Sequence, residues 1–197
     1  MRTNRPILAS AAALAAFTLA APTTGWAQDA EIEIVGVVDT FTEPSCALGP
    51  IAIIPDQTAN VIYSAATSGP DGGRVDIIAL AEQDGLQREF RAGLRADVLC
   101  TIDWTATISS DGDGMLNRDT GTDWVDYTAE VGVGTNTDSF STTSGTGGLQ
   151  LATVNLDQAD RFVDVIIASL PDLPTEPLAE GTYVDVIFLE IAPGVPL

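Results

Sequence analysis

The stretch that decides the fold is Val98-Leu99-Cys100-Thr101-Ile102-Asp103-Trp104-Thr105-Ala106-Thr107-Ile108. Every second residue from Val98 to Ile108 is apolar or cysteine, and the residues between them are polar apart from Leu99. A period of two is typical of a β-strand with one face in the core, whereas a helix would scatter the same residues around its circumference. The pattern therefore predicts one continuous strand, with Cys100 and Trp104 on its inner face.

Similar alternating or Val- and Ile-rich runs recur along the chain. The clearest are residues 31–38, 129–133, 162–168 and 183–191. Stretches rich in Gly, Pro and Asp separate the runs, and the longest polar stretch, residues 134–148, predicts a hairpin tip. Many short strands joined by turns predict an all-β fold, specifically an antiparallel β-sandwich.

The N-terminal segment has the pattern of a secretory signal peptide. Two arginines precede an apolar run at 7–21, and small residues before Ala27 suit cleavage after it. The run is shorter than the roughly 20 residues that a membrane span needs, so an uncleaved anchor is the less favoured alternative. We predict a signal peptide over 1–27 and a single domain over 28–197, without membrane insertion of the mature chain.

The charge of the chain excludes several functions. It carries 28 acids against 8 bases, a net charge of −20, and has neither Lys nor His. Without histidine there is no Ser-His-Asp or Cys-His catalysis, and without lysine no Schiff base. The negative field opposes binding to nucleic acid. We therefore expect a protein that is not an enzyme and that needs no cofactor or metal.

The chain has two cysteines, Cys46 and Cys100. An exported chain meets an oxidising compartment, where an even number of cysteines indicates a disulfide. Two free buried thiols are the alternative.

Three features together resemble a known family. They are the alternating run Ile32-Glu33-Ile34-Val35-Gly36-Val37-Val38 ahead of Cys46, the second cysteine in a strongly alternating strand, and the ending Gly181-Thr182-Tyr183-Val184-Asp185. This pattern is similar to spore coat U-like secreted proteins, which belong with the pilin-like subunits of the chaperone–usher class. The resemblance implies an immunoglobulin-like fold with Cys46 bridged to Cys100 across the first two main strands. It also implies export to the periplasm or cell surface, and partnership with other pilin-like subunits, a periplasmic chaperone and an usher.

Pilin-like subunits assemble when a strand of one subunit completes the sheet of the next. Ile32, Ile34 and Val38 have the spacing of anchors on such a donor strand. The chain departs from the family pattern because only residues 28–30 separate the predicted signal peptide from the run that begins at 31. Residues 31–38 are therefore either the donor strand or the first strand of the domain's own sheet, and the short linker to Cys46 favours the second.

Three other segments carry candidate chemistry. Asp119-Thr120-Gly121 resembles the turn of aspartic proteases, but such a protease needs two of these carboxylates and the chain has one copy, so we expect a plain turn. The acidic run from Asp111 to Asp119 has oxygen ligands at calcium-loop spacing, yet Met115 and Leu116 occupy positions that the loop needs, and a hairpin turn is favoured. Trp124 lies among acidic residues and is the best candidate for contact with a ligand such as a sugar.

The sequence therefore predicts a secreted structural subunit of a surface appendage or extracellular coat, assembled by β-strand complementation. A self-contained extracellular binding module that uses Trp124 is the alternative, and an acid-based hydrolase that uses Asp119 is remote.

Overall fold

A computed structural model of the protein describes residues 29–38, 46–65, 72–78, 80–81, 85–110, 114–143, 148–172 and 176–194. The predicted signal peptide at 1–27 lies outside these residues, as do Asp111 and Asp113 of the acidic run. Within the described residues, no helix has the length and apolar character that crossing a bilayer requires.

The described chain is built from β-strands and one short 3-10 helix at Pro55–Gln57. The strands are β1 (Asp29–Val38), β2 (Cys46–Ile53), β3 (Val61–Ala65), β4 (Gly72–Ile77), β5 (Arg91–Cys100), β6 (Trp104–Ser110), β7 (Met115–Asn117), β8 (Trp124–Val125), β9 (Tyr127–Val133), β10 (Asn136–Ser141), β11 (Gln150–Leu156), β12 (Phe162–Ser169) and β13 (Thr182–Pro193).

The strands form two sheets that enclose one hydrophobic core. The eight-stranded sheet has the order β11-β6-β13-β1-β4-β3, and the β7–β8 hairpin continues it beside β13. The five-stranded sheet has the order β10-β9-β12-β5-β2. Buried residues of both sheets belong to the same core cluster. The prediction of an all-β fold with two packed sheets is thus confirmed. The strand directions differ from the prediction in one pair, because β1 and β13 are parallel.

The prediction of a single strand from Val98 to Ile108 is wrong. β5 ends at Cys100 in the five-stranded sheet, and β6 begins at Trp104 in the eight-stranded sheet. The chain therefore crosses between the layers within residues 101–103. The predicted inner face is nevertheless correct for Cys100, Trp104 and Ile108, which are almost completely buried.

The disulfide between Cys46 and Cys100 is confirmed. The two residues are direct partners of β2 and β5, so the bridge joins neighbouring strands of one sheet. These are not the first two strands, as the resemblance implied, because β1 precedes them and β3 and β4 lie between them in the chain. Both cysteines belong to the buried core.

Hydrogen bonds join the two sheets along both sides of the sandwich. On one side the Tyr63 hydroxyl of β3 donates to the Ile51 carbonyl of β2 at 3.1 Å. On the other side, the Asn136 side chain of β10 donates to the carbonyl of Asn155 in β11 at 2.7 Å. The strand β10 corrects the prediction of a hairpin tip at 134–148, because six residues of that stretch, five polar ones and Phe140, pair with β9.

Candidate functional site

β1, the first strand of the described residues, occupies an interior position in the eight-stranded sheet. It pairs in parallel with β13 from Asp29 opposite Thr182 to Val38 opposite Ile191. Its other side pairs antiparallel with β4. Because β1 lies between these two strands, its removal would separate β3 and β4 from the rest of the sheet and would expose two unpaired strand edges.

The predicted anchors lie on the inner face of β1. Ile32 has no exposed surface and Ile34 is 2 % exposed. In the sheet, Ile32 lies between Asp185 and Val75, and Ile34 pairs with Ile187 of β13. Burial of each isoleucine side chain contributes about 1.5–3 kcal/mol to stability. These two side chains therefore anchor β1 in the hydrophobic core.

The third predicted anchor, Val38, is opposite Ile191 at the end of the pairing. Its side chain is not among those that the structure describes. The structure therefore brings Ile32 and Ile34 into the domain's own core and gives the backbone position of Val38 alone.

An ion pair connects β1 with β4 on the outer face of the sheet. Arg74 of β4 lies 3.1 Å from the Glu31 carboxylate and also pairs with Asp76 on its own strand. The Arg74 side chain is 55 % exposed, and such exposed pairs contribute about 0–1 kcal/mol. The ion pair therefore adds little to the stability of β1, although it helps to fix the register of this strand.

The terminal Gly-Thr-Tyr-Val-Asp segment begins β13 beside β1. Tyr183 is completely buried, and its hydroxyl donates to the Ala179 carbonyl at 2.9 Å. This bond to the chain a few residues upstream has the form of the tyrosine corner found in β-sandwiches. Burial raises the pKa of Tyr183.

Asp185 of the same segment joins the two sheets. One carboxylate oxygen accepts hydrogen bonds from the Tyr127 hydroxyl of β9 at 2.6 Å and from the Ser110 hydroxyl at 3.0 Å. The other oxygen accepts the Val186 N–H at 2.7 Å. Burial, and then the negative charge of Asp185, raise the pKa of Tyr127 well above its ordinary range. Because Asp185 neighbours Ile32, this polar junction lies directly beside β1.

Asp119, the residue predicted for a protease-like turn, has a structural role. Its carboxylate accepts the Thr182 N–H at 3.0 Å, at the start of β13. Buried Asn117 organises the same turn, since its side-chain oxygen accepts the N–H groups of Asp119 and Thr120. The Asn117 amide donates in turn to the Glu180 carbonyl at 3.2 Å, which joins the turn to β13.

Trp124, the predicted ligand contact, lies on the β7–β8 hairpin. Its partner in the hairpin is Leu116, and both are half-buried, whereas their neighbours Met115 and Val125 face the core. Trp124 therefore lies on the outer face of the eight-stranded sheet. Among the described residues, no three Cys, Asp or Glu side chains come together in a group that could hold a metal ion.

Sequence reasoning missed Tyr127, Ser110 and Asn117. A signal for Tyr127 was present, since it alternates with Ala129 and Val131 in an apolar run, and a buried tyrosine hydroxyl usually needs a partner. No local signal identifies that partner as Asp185, which lies 58 residues further along the chain.

Neither a comparison of the sequence with protein-family models nor one with curated proteins finds a match. The functional argument consequently depends on the residues of this chain.

Proposed function

We propose that the protein is a secreted structural subunit of a surface appendage or extracellular coat, and that β1 is the strand exchanged between subunits. The observation that carries the proposal is the position of β1, the first strand of the described chain, which lies between β13, parallel to it, and β4, antiparallel to it. Within this proposal the sandwich is immunoglobulin-like and its partners are other pilin-like subunits, a periplasmic chaperone and an usher.

The physical basis is that a slot between two strands accepts the same strand from any copy of the chain. A donated β1 would form the same main-chain hydrogen bonds and bury the same Ile32 and Ile34 side chains as the resident strand. The difference in free energy between the two arrangements is then dominated by the connection to β2, since a resident strand benefits from a high effective concentration. Exchange becomes favourable at high subunit concentration, as in a coat or a fibre.

The disulfide supports the export part of the proposal. Bridges such as Cys46–Cys100 form and persist in the periplasm and outside the cell, and are rare in the cytosol. The proposed signal peptide at 1–27 would deliver the chain to that environment.

The proposal is tested with a chain whose own strand is weakened and a peptide that replaces it. In the variant Ile32→Asp/Ile34→Asp, the resident β1 loses both anchors, and we expect a large fall in the thermal midpoint. A synthetic peptide of residues 29–38 is then expected to be captured and to restore part of the lost midpoint. The matched control is the same peptide with both Asp substitutions. It can form the same main-chain hydrogen bonds but lacks the two isoleucine anchors.

The assembly proposal also predicts heat-resistant polymers of the unsubstituted protein on non-reducing gels. A protein that stays a cooperatively unfolding monomer at high concentration, and a variant that never captures the 29–38 peptide, would together contradict it.

A second candidate is the self-contained binding module, which the outward position of Trp124 favours. Aromatic rings on open sheet faces can stack on the apolar C–H face of a sugar ring. This candidate predicts that a panel of immobilised glycans includes a ligand and that Trp124→Ala abolishes its binding. Equal binding by the variant would remove the candidate.

A further inference from the structure

The outer face of the eight-stranded sheet carries a continuous run of half-buried apolar side chains. Trp124 pairs with Leu116, and Leu116 pairs with Val184 of β13. The run continues along the same face of β13 through Val186 to Phe188, which pairs with Val35 of β1. We call these six residues the apolar strip.

The alternation of burial places the strip outside the core. Along β13, Tyr183, Ile187 and Leu189 are completely buried, whereas Val184, Val186 and Phe188 are only half-buried. Side chains at alternate positions of a strand point to opposite faces of the sheet, so the strip faces away from the five-stranded sheet. The six side chains are therefore partly accessible, and together they offer a partner a line of apolar contacts on one face of the sheet.

The charged residues that border the strip are mostly acidic. The outward positions of β1, β4 and β13 carry Glu31, Glu33, Asp76 and Glu190 against the single base Arg74. Arg74 is held by Glu31 and Asp76. Glu33 is exposed and lies between Val186 of β13 and Arg74 of β4, and four acids against one base leave this border of the strip negative.

We infer that the apolar strip is a docking surface for a cationic polypeptide segment that presents apolar side chains, such as an extended segment in which Lys or Arg alternates with Val or Phe. Val184, Val186 and Phe188 would contact the apolar side chains, and Glu33 and Glu190 would contact the bases. Charge complementarity selects this occupant over the same face of a second copy, because two strips in contact would bring their acidic borders together.

The inference does not depend on strand exchange. Glu31, Glu33 and Val35 belong to β1, and a β1 donated by another subunit would present the same residues at the same positions of the sheet. The docking surface is therefore present in the monomer and in any assembled form.

The test is the affinity of the whole protein for a short synthetic peptide in which lysine alternates with valine and phenylalanine. A second peptide replaces the apolar residues with serine at the same charge. We expect the first peptide to bind at least about tenfold more tightly, because it alone buries apolar surface on the strip. Binding should also weaken as ionic strength rises. Equal affinity for the two peptides would overturn the inference, as would no binding.

Substitutions locate the site. Phe188→Ser is expected to weaken the binding of the Lys–Val–Phe peptide about tenfold, and Glu33→Gln is expected to weaken it a few-fold. Leu99→Ser is the matched control, because Leu99 is 61 % exposed on the five-stranded sheet. Val186→Thr, which preserves the β-branched shape, replaces Phe188→Ser if that variant does not reach the parent's circular dichroism spectrum. Equal weakening by Leu99→Ser, or self-association of the parent that Phe188→Ser removes, would overturn the inference.

Discussion

The Tyr127 hydroxyl of the five-stranded sheet donates a hydrogen bond of 2.6 Å to the Asp185 carboxylate of the eight-stranded sheet. Tyr127 has no exposed surface, so the bond crosses the core of the sandwich. Asp185 lies beside Ile32 in the sheet, and the bond therefore joins the two layers where β1 is inserted. A polar junction in this position helps to fix the register of β13, because a shift by one residue would turn Asp185 to the opposite face.

Removal of this hydroxyl is expected to destabilise the fold. Tyr127→Phe leaves the ring in place and deprives Asp185 of a donor, for an expected loss of about 1–3 kcal/mol in the free energy of unfolding. Denaturant titration measures the loss. In a double-mutant cycle with Asp185→Ala, which removes the acceptor, the two losses should not add, since each substitution removes the same bond. Strict additivity would show that the bond contributes nothing.

Stability should fall in alkaline solution. Each of the three tyrosines has a pKa raised above the ordinary value of 10.0, in each case chiefly by burial. The unfolded chain loses these protons as the pH passes about 10, whereas the folded chain loses them only at higher pH. The tyrosines' contribution is therefore complete below pH 10 and is lost progressively above it. Urea unfolding at increasing pH measures this slope, and Tyr127→Phe should make it shallower.

The same groups allow a spectroscopic check. At a pH where free tyrosine is half ionised, the folded protein should show less tyrosinate absorbance than three free tyrosines, and the absorbance should rise further on unfolding. Three tyrosines that titrate near pH 10 while the fold is intact would contradict the burial of Tyr127.

Gly181 should tolerate no side chain. It has φ of +149°, and a Cβ there would lie 2.6 Å from Asn117 Nδ2. Gly181→Ala is expected to cost about 2–4 kcal/mol, because backbone strain and the displacement of Asn117 add together. Gly121 is the matched control, since it has φ of +70° and nothing within 4 Å of its Cβ position. Gly121→Ala should lower the free energy of unfolding only by the backbone strain, about 1–2 kcal/mol. Equal losses in thermal unfolding would contradict the role of Asn117.

The Cys46–Cys100 bridge closes a loop with a sequence separation of 54. By the chain-entropy model, its removal in Cys46→Ala/Cys100→Ala should lower the free energy of unfolding by about 4 kcal/mol. Denaturant midpoints of the variant and parent measure the difference. Intact-mass analysis after alkylation is the control, and two alkylated thiols in the unreduced parent would contradict the bridge.

The residues at 98–108 explain why local sequence predicted the fold class but not the path of the chain. β5 and β6 both turn their alternate residues to one core, and an even spacing separates Cys100 from Trp104. The period of two is therefore preserved across the crossing between sheets, and only Ile102, half-exposed between the strands, departs from the predicted inner face.

The neighbours of β1 were beyond local sequence reasoning for a different reason. The alternation of Ile32 and Ile34 correctly predicts a strand with one buried face, and both are buried. Its parallel partner β13 lies at the other end of the chain, and nothing in either segment specifies direction. A polar stretch likewise does not show whether it forms a strand or a loop. β10 buries only Phe140, and it belongs to the sheet through its backbone pairing with β9.

The most direct test of strand exchange uses two cysteine variants of the protein, Glu33→Cys and Val186→Cys. These residues are direct partners of β1 and β13, at a spacing that suits a disulfide. When the two variants are refolded together, exchange predicts a covalent heterodimer on non-reducing gels. Glu33→Cys with Thr107→Cys should give none, because Thr107 of β6 is separated from β1 by β13. If no heterodimer forms while a single chain with both Glu33→Cys and Val186→Cys closes its own bridge, β1 stays in its own sheet and the account is contradicted.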